Sequence, residues 1–174
     1  MPIRCPLKLR KTMKTNTHEE IAFTNCHAGI YLNKKEGAVA LDIKSSEIVL
    51  YLNTSLYQAV AWLLYNAGEC QELMDFVNWN VEPKSANRNT LIEVHGPEHS
   101  ACLVCSPASE RVQLNLEIGV SLDLKFSDFK GLLDLVKEAQ ADLDWRRQLL
   151  QWSHSNKDIT DTDNHRDSKD KKAI

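Results

Sequence analysis

The chain has 174 residues, enough for one ordinary domain that buries about two-thirds of its unfolded surface. Hydrophobic content of 43% and charged content of 26% are those of a globular protein, and no apolar run approaches the ~20 residues that span a bilayer. The net charge of −3 conceals a basic stretch at residues 1–18 (+5), a neutral end at 153–174 and a body at 19–152 that carries −8. An acidic body repels a phosphate backbone, so nucleic-acid binding is expected only of the basic arm.

Arg4, Lys8, Arg10, Lys11 and Lys14 make that arm, and Met13 offers a second start within it. Its apolar residues are broken by Pro6 and by charges, so no secretory h-region forms. The five cysteines, Cys5, Cys26, Cys70, Cys102 and Cys105, are then expected to be reduced thiols of a cytoplasmic protein. Residues 1–18 are expected to be a flexible arm and 19–152 a single α+β domain.

From Ala28 the pattern has period two. Ile30 and Leu32 alternate, Asn33–Gly37 reads as a hairpin turn, and Val39, Leu41 and Ile43 share one face of a second strand. After a turn at Lys44–Ser46, Ile48, Leu50 and Leu52 line a third strand. The period then becomes helical. Ser55 with Gln58 fits a capping box, and Leu56, Val60, Leu63, Leu64 and Ala67 form one stripe that Gly68 is expected to end. A short helix follows, from about Leu73 to Trp79.

Residues 80–89 read as a connector. Strands resume at Leu91–His95 and Ala101–Cys105. A long alternation from Val112 to Leu124 is one bent strand or a hairpin near Gly119. The longest helix is expected over 127–152. Beyond Ser153 the chain is polar, with too little apolar surface to order itself, and 153–174 reads as a disordered tail.

Offsetting the chain by 72 residues superposes 47–67 on 119–139. Leu50, Leu52, Ser55, Leu63 and Ala67 meet Leu122, Leu124, Ser127, Leu135 and Ala139. Ile48, Tyr57, Ala59, Val60 and Leu64 meet Val120, Phe129, Gly131, Leu132 and Val136, and a one-residue gap brings Val39, Leu41 and Ile43 onto Val112, Leu114 and Leu116. Any two amphipathic segments share a pattern, but here the strand-to-helix junction matches too. The expected fold is therefore α+β, two divergent βββα repeats (about 26–79 and 90–152) in antiparallel sheets, with the helices mainly on one face.

The densest cluster of reactive side chains is His95, His99, Cys102 and Cys105. Zinc takes such ligands, and two thiolates three apart can share one ion when a turn separates them. Leu103-Val104 between the cysteines is strand-like instead, and a regular strand points Cys102 and Cys105 to opposite faces. Structural cysteines are the favoured reading, and a zinc site, with Cys26 and His27 as a conceivable contribution, the minority one. No catalytic residues are assigned: no cysteine sits beside a base at a helix start, and no Gly-x-Ser-x-Gly, Walker A or His-Glu-x-x-His pattern occurs.

Trp145 and Trp152 are seven apart and share a stripe with Leu149, beside Arg146. The stripe either folds against the helix at 73–77 or covers a partner, in which case Trp145, Arg146, Leu149 and Trp152 form the contact. The sequence thus points first to a non-enzymatic binding or regulatory protein, dimeric through the last helix and with no membrane association. A zinc-binding or redox-responsive module is the alternative, and an enzyme or small-ligand binder at the junction of the two copies is the second alternative.

Overall fold

A computed structural model describes the backbone at residues 9–10, 13–15, 18–33 and 37–152, and the side chains from Ile21 onward within these ranges, that of His99 excepted. The tail at 153–174 lies outside the described residues.

The fold is α+β, built from two antiparallel sheets that are each followed by helices. The first copy comprises strands β3 (His18–Thr24), β4 (Ala28–Asn33), β5 (Ala38–Ile43) and β6 (Ile48–Asn53), then helices α1 (Thr54–Glu69) and α2 (Gln71–Val77). Two short strands, β1 (Leu9–Arg10) and β2 (Met13–Thr15), pair along the outer edge of β3, so part of the basic arm joins the first sheet. The second copy comprises β7 (Ile92–His95), β8 (Ala101–Ser106), β9 (Arg111–Leu116) and β10 (Ser121–Lys125), then α3 (Phe126–Ala141) and a helix α4 at 143–152. The repeat therefore holds four strands rather than three. The additional first strand, β3, escaped the sequence reading because its alternation begins among the charged residues that end the arm.

Pairing registers repeat from copy to copy. Ala28 to Asn33 face Ile43 to Ala38 in β4–β5, and Ala101 to Ser106 face Leu116 to Arg111 in β8–β9, a uniform shift of 73 residues. Leu41 pairs with Leu50 and Leu114 with Leu122. The run from Val112 to Leu124 is thus a hairpin, turned at Gly119 with φ +81. An open αL position suits glycine, which carries no Cβ to strain there.

Both helical segments break at equivalent points. Helix α1 runs past Gly68 to Glu69, and Cys70 (φ −76, ψ 101) separates it from α2. The expected single helix at 127–152 is likewise two helices, separated at Asp142 (φ −80, ψ 125), 72 residues after Cys70. The Asp142 carboxylate accepts the Trp145 N–H at 2.9 Å and so caps α4, which a continuous helix would not allow. At the start of α1 the cap is Asn53, whose side-chain oxygen accepts the Leu56 N–H at 2.8 Å, in place of the expected Ser55.

Each long helix serves both sheets. Helix α1 packs on β5 and β6 of its own copy and on β7 and β8 of the other, while α3 packs on β9 and β10 and on β3 and β4. One continuous cluster of buried residues consequently draws on both copies, from Phe23 and Leu41 to Leu114 and Val136.

Candidate binding groove at the junction of the two copies

Exchange of helices between sheets creates two related junctions, each where the first half of a long helix meets two loops of the other copy. At one, α3 meets the β3–β4 loop (Asn25, Cys26, His27) and the β5–β6 turn (Lys44 to Glu47). At the other, α1 meets the β7–β8 loop (Gly96 to Ser100), two residues longer, and the β9–β10 turn around Ile118.

The first junction is closed by polar contacts. Asp128, buried in the first turn of α3, accepts a hydrogen bond from Ser45 Oγ at 2.6 Å and lies 3.4 Å from His27 Nδ1. Asn25 donates to the Gly131 carbonyl at 2.8 Å, and its side-chain oxygen accepts the His27 and Ala28 N–H groups, both at 2.9 Å. His27 packs so closely on the helix that a Cβ added to Gly131 would stand 2.6 Å from the His27 Cβ. Only glycine at 131 admits this approach.

The second junction is open. Where α3 has Asp128 and Gly131, α1 has Leu56 and Ala59; where the first copy offers His27 and Ser45, the second offers Ser100 and Ile118. Ser100 Oγ bonds within its own loop, to the Pro97 carbonyl at 2.8 Å, and reaches nothing on the helix. A groove of about 580 Å³ results, floored by Leu56 and Ala59, walled by Trp62 and Ile118, and rimmed by Asn53, Gln58, Pro97 and Glu98. Trp62 and Ile118 stay 49% and 61% exposed.

Burial along the two helices isolates this difference. The seven buried positions of α1 (Thr54, Tyr57, Val60, Ala61, Leu63, Leu64 and Ala67) all have buried counterparts in α3. Asp128 and Gly131 are the two buried positions of α3 whose counterparts, Leu56 and Ala59, are only half-buried. The floor of the groove is the part of the helix surface that its partner loops leave uncovered.

The residues singled out in the sequence lie elsewhere. His95 and Cys102 are cross-strand neighbours on the outer face of the second sheet, while Cys105 is buried on the inner face. Burial pushes the Cys105 thiol up to about 12, with the Cys70 thiol adding to the effect, as for a cysteine packed in the core. Cys26 is disulfide-bonded, which departs from the expectation of five reduced thiols and removes it from any thiolate set. Among the described residues no three His, Cys, Asp or Glu side chains gather as a metal site, and the His99 side chain is not among them. Within the expected zinc set His95, His99, Cys102 and Cys105, the alternation of β8 puts the two cysteines on opposite faces of the sheet.

In the tryptophan stripe, Trp145 and Leu149 are core residues. Trp145 is 0% exposed and stands edge-on to Phe23 at 5.5 Å and to Tyr57 at 5.6 Å, so α4 seals the first copy rather than facing a partner. Trp152 is half-buried against the core and Arg146 is exposed. Trp145 and Leu149 correspond to Leu73 and Val77 of α2, also buried, which makes the stripe part of the repeat.

Leu56, Ala59, Trp62 and Ile118 were not foreseen as a site. Their signal was present in the internal alignment, as Leu56 opposite Asp128, Trp62 outside the apolar stripe of α1, and an isoleucine in a hairpin turn. Among the described residues no helix is long and apolar enough to cross a membrane. No family model, no curated protein and no solved structure matches the chain.

Proposed function

We propose that the protein is a non-enzymatic binding module whose protein partner docks in the groove between the two copies. The observation that carries this reading is the unequal junction: one register of strands and helices, closed by His27, Ser45 and Asp128 on one side and open over Leu56 and Ala59 on the other. An exposed tryptophan beside an exposed isoleucine, on a floor of apolar side chains, is the composition of an interface anchor site. Among the described lining residues Glu98 is the one charged side chain, and Ser100 Oγ is held by the Pro97 carbonyl at 2.8 Å rather than by a base. The open, shallow form of the groove suits a polypeptide better than an enclosed small molecule.

A photo-crosslinking amino acid at position 62 tests the reading, with position 113 on the outer face of the second sheet as control. Position 62 is expected to give a discrete protein adduct in cells that is lost when Ile118→Asp is added; equal labelling at 62 and 113, or none at 62, overturns it.

A second reading, self-association, has its own support. On the outer face of the first sheet Tyr31, Ala40, Val49 and Tyr51 stand where the second sheet has Val104, Gln113, Ser121 and Asp123, and Tyr51 is 60% exposed. This face supports a homodimer better than the stripe at 145–152, whose Trp145 and Leu149 are buried. If a homodimer forms there, Tyr51→Asp converts a dimer to a monomer in light scattering; a wild-type monomer at high micromolar concentration removes the reading.

A further inference from the structure

We infer that the segment which fills the groove is basic, and that it inserts one apolar side chain of about ring size over Ala59. This inference rests on the groove being a protein-docking site, and adds the chemistry of the occupant.

The size and place of the inserted group come from the closed junction. There the space above Gly131 is taken by the His27 ring, supplied by a loop that in the second copy ends in Ser100 instead. The corresponding space above Ala59 is bounded by Leu56, Trp62 and Ile118. Asp128 can hold an imidazole through its carboxylate, whereas Leu56 offers no acceptor. A leucine or phenylalanine side chain therefore satisfies the open site where a histidine satisfies the closed one.

The charge of the segment comes from the rim. Glu98 lines the groove, held in the left-handed region at φ 55, and Glu117 adjoins Ile118, its backbone N–H donating to the Ser100 carbonyl at 3.0 Å. Among the described residues that line the groove none is basic. The surrounding body, residues 19–152, carries 11 bases against 19 acids. Lysine or arginine flanking the anchor meets complementary potential there, while an acidic segment meets repulsion.

Three synthetic peptides of equal length serve as probes: one of leucine and lysine, one of leucine and glutamate, one of serine and lysine. Binding to the full chain is read from the Trp62 indole resonance, assigned with Trp62→Phe. The leucine–lysine peptide is expected to move that resonance and to bind at least tenfold tighter than either of the others. Ile118→Ser should weaken it about tenfold, and Glu98→Gln with Glu117→Gln about threefold at low salt, an effect that added salt removes. Equal or tighter binding of the leucine–glutamate peptide overturns the charge, and equal binding of the serine–lysine peptide overturns the anchor. A shift confined to the outer face of the second sheet overturns both. If a cellular partner crosslinks at position 62 while the leucine–lysine peptide fails, docking in the groove stands and this inference falls; if neither occurs, both fall.

Discussion

Gly131 and Ala59 occupy the same position on two related helices, and what lies above each decides the residue. Alanine favours a helix interior over glycine by about 1 kcal/mol, so Gly131→Ala would stabilise α3 if nothing opposed it. The His27 Cβ, 2.6 Å from where the new methyl would stand, opposes it. Because the conflicting atom is a Cβ, a rotamer change cannot relieve it and the β3–β4 loop must move. Overpacking of this kind costs about 1–3 kcal/mol, which exceeds the propensity gain. Gly131→Ala is therefore expected to destabilise the protein by up to about 2 kcal/mol in urea unfolding. In a His27→Gly background the sign should reverse, since the obstruction is gone and the propensity term remains. If Gly131→Ala has the same effect in both backgrounds, His27 does not close the junction.

At the scale of elements, period and register made most of the architecture legible. Strand pairing from Ala28 to Leu52 and from Ala101 to Leu124 follows from which residues alternate, because one face must be buried. The break after α1 was legible from Gly68 to within two residues. The break at Asp142 was not: it has no glycine or proline beside it, and an aspartate accepting the N–H three residues on reads in sequence as an ordinary exposed side chain. With that break unseen, Trp145 reads as one member of a stripe along a single helix at 127–152, free to cover a partner. The turn at Asp142 redirects α4, and the ring enters the space between Phe23 and Tyr57. Trp145→Ala is accordingly expected to cost about 3–5 kcal/mol, the loss typical of a large buried aromatic. Trp62→Ala, on an exposed ring, should stay within about 0.5 kcal/mol. Urea midpoints of the two variants separate core from surface; comparable small losses would mean that α4 is not docked as described. The groove itself was hidden for a different reason. It consists of what is missing between two loops and a helix, and sequence patterns register what is buried.

For the molecule as a whole, the exchange of helices makes each copy dependent on the other. A chain severed in the exposed connector between Ala86 and Asn87 leaves α1 without β7 and β8, and α3 without β3 and β4, so neither half can cover its apolar surface alone. Pairing two identical halves is the available substitute, since the junctions are related by the repeat. The closed junction forbids a good match. Two copies of 1–86 would set His27 against Ala59 and Leu56, where the Ala59 methyl would collide with the His27 Cβ and no carboxylate accepts the imidazole. Two copies of 87–174 would bury Asp128 against Ser100 and Ile118, leaving it without the Ser45 and His27 contacts at a cost of about 1–3 kcal/mol per site, or more if it remains charged. Both mismatches occur twice in a symmetric pair and vanish in the mixed one. Separate halves are therefore expected to give poorly dispersed amide spectra or weak self-association, and equimolar mixing to restore a single cooperative unfolding transition. A half that folds alone as a stable monomer would refute the dependence. Selective mixed pairing would instead locate the specificity in His27, Ser45 and Asp128: Asp128→Leu, which copies Leu56 into the second half, should allow 87–174 to pair with itself.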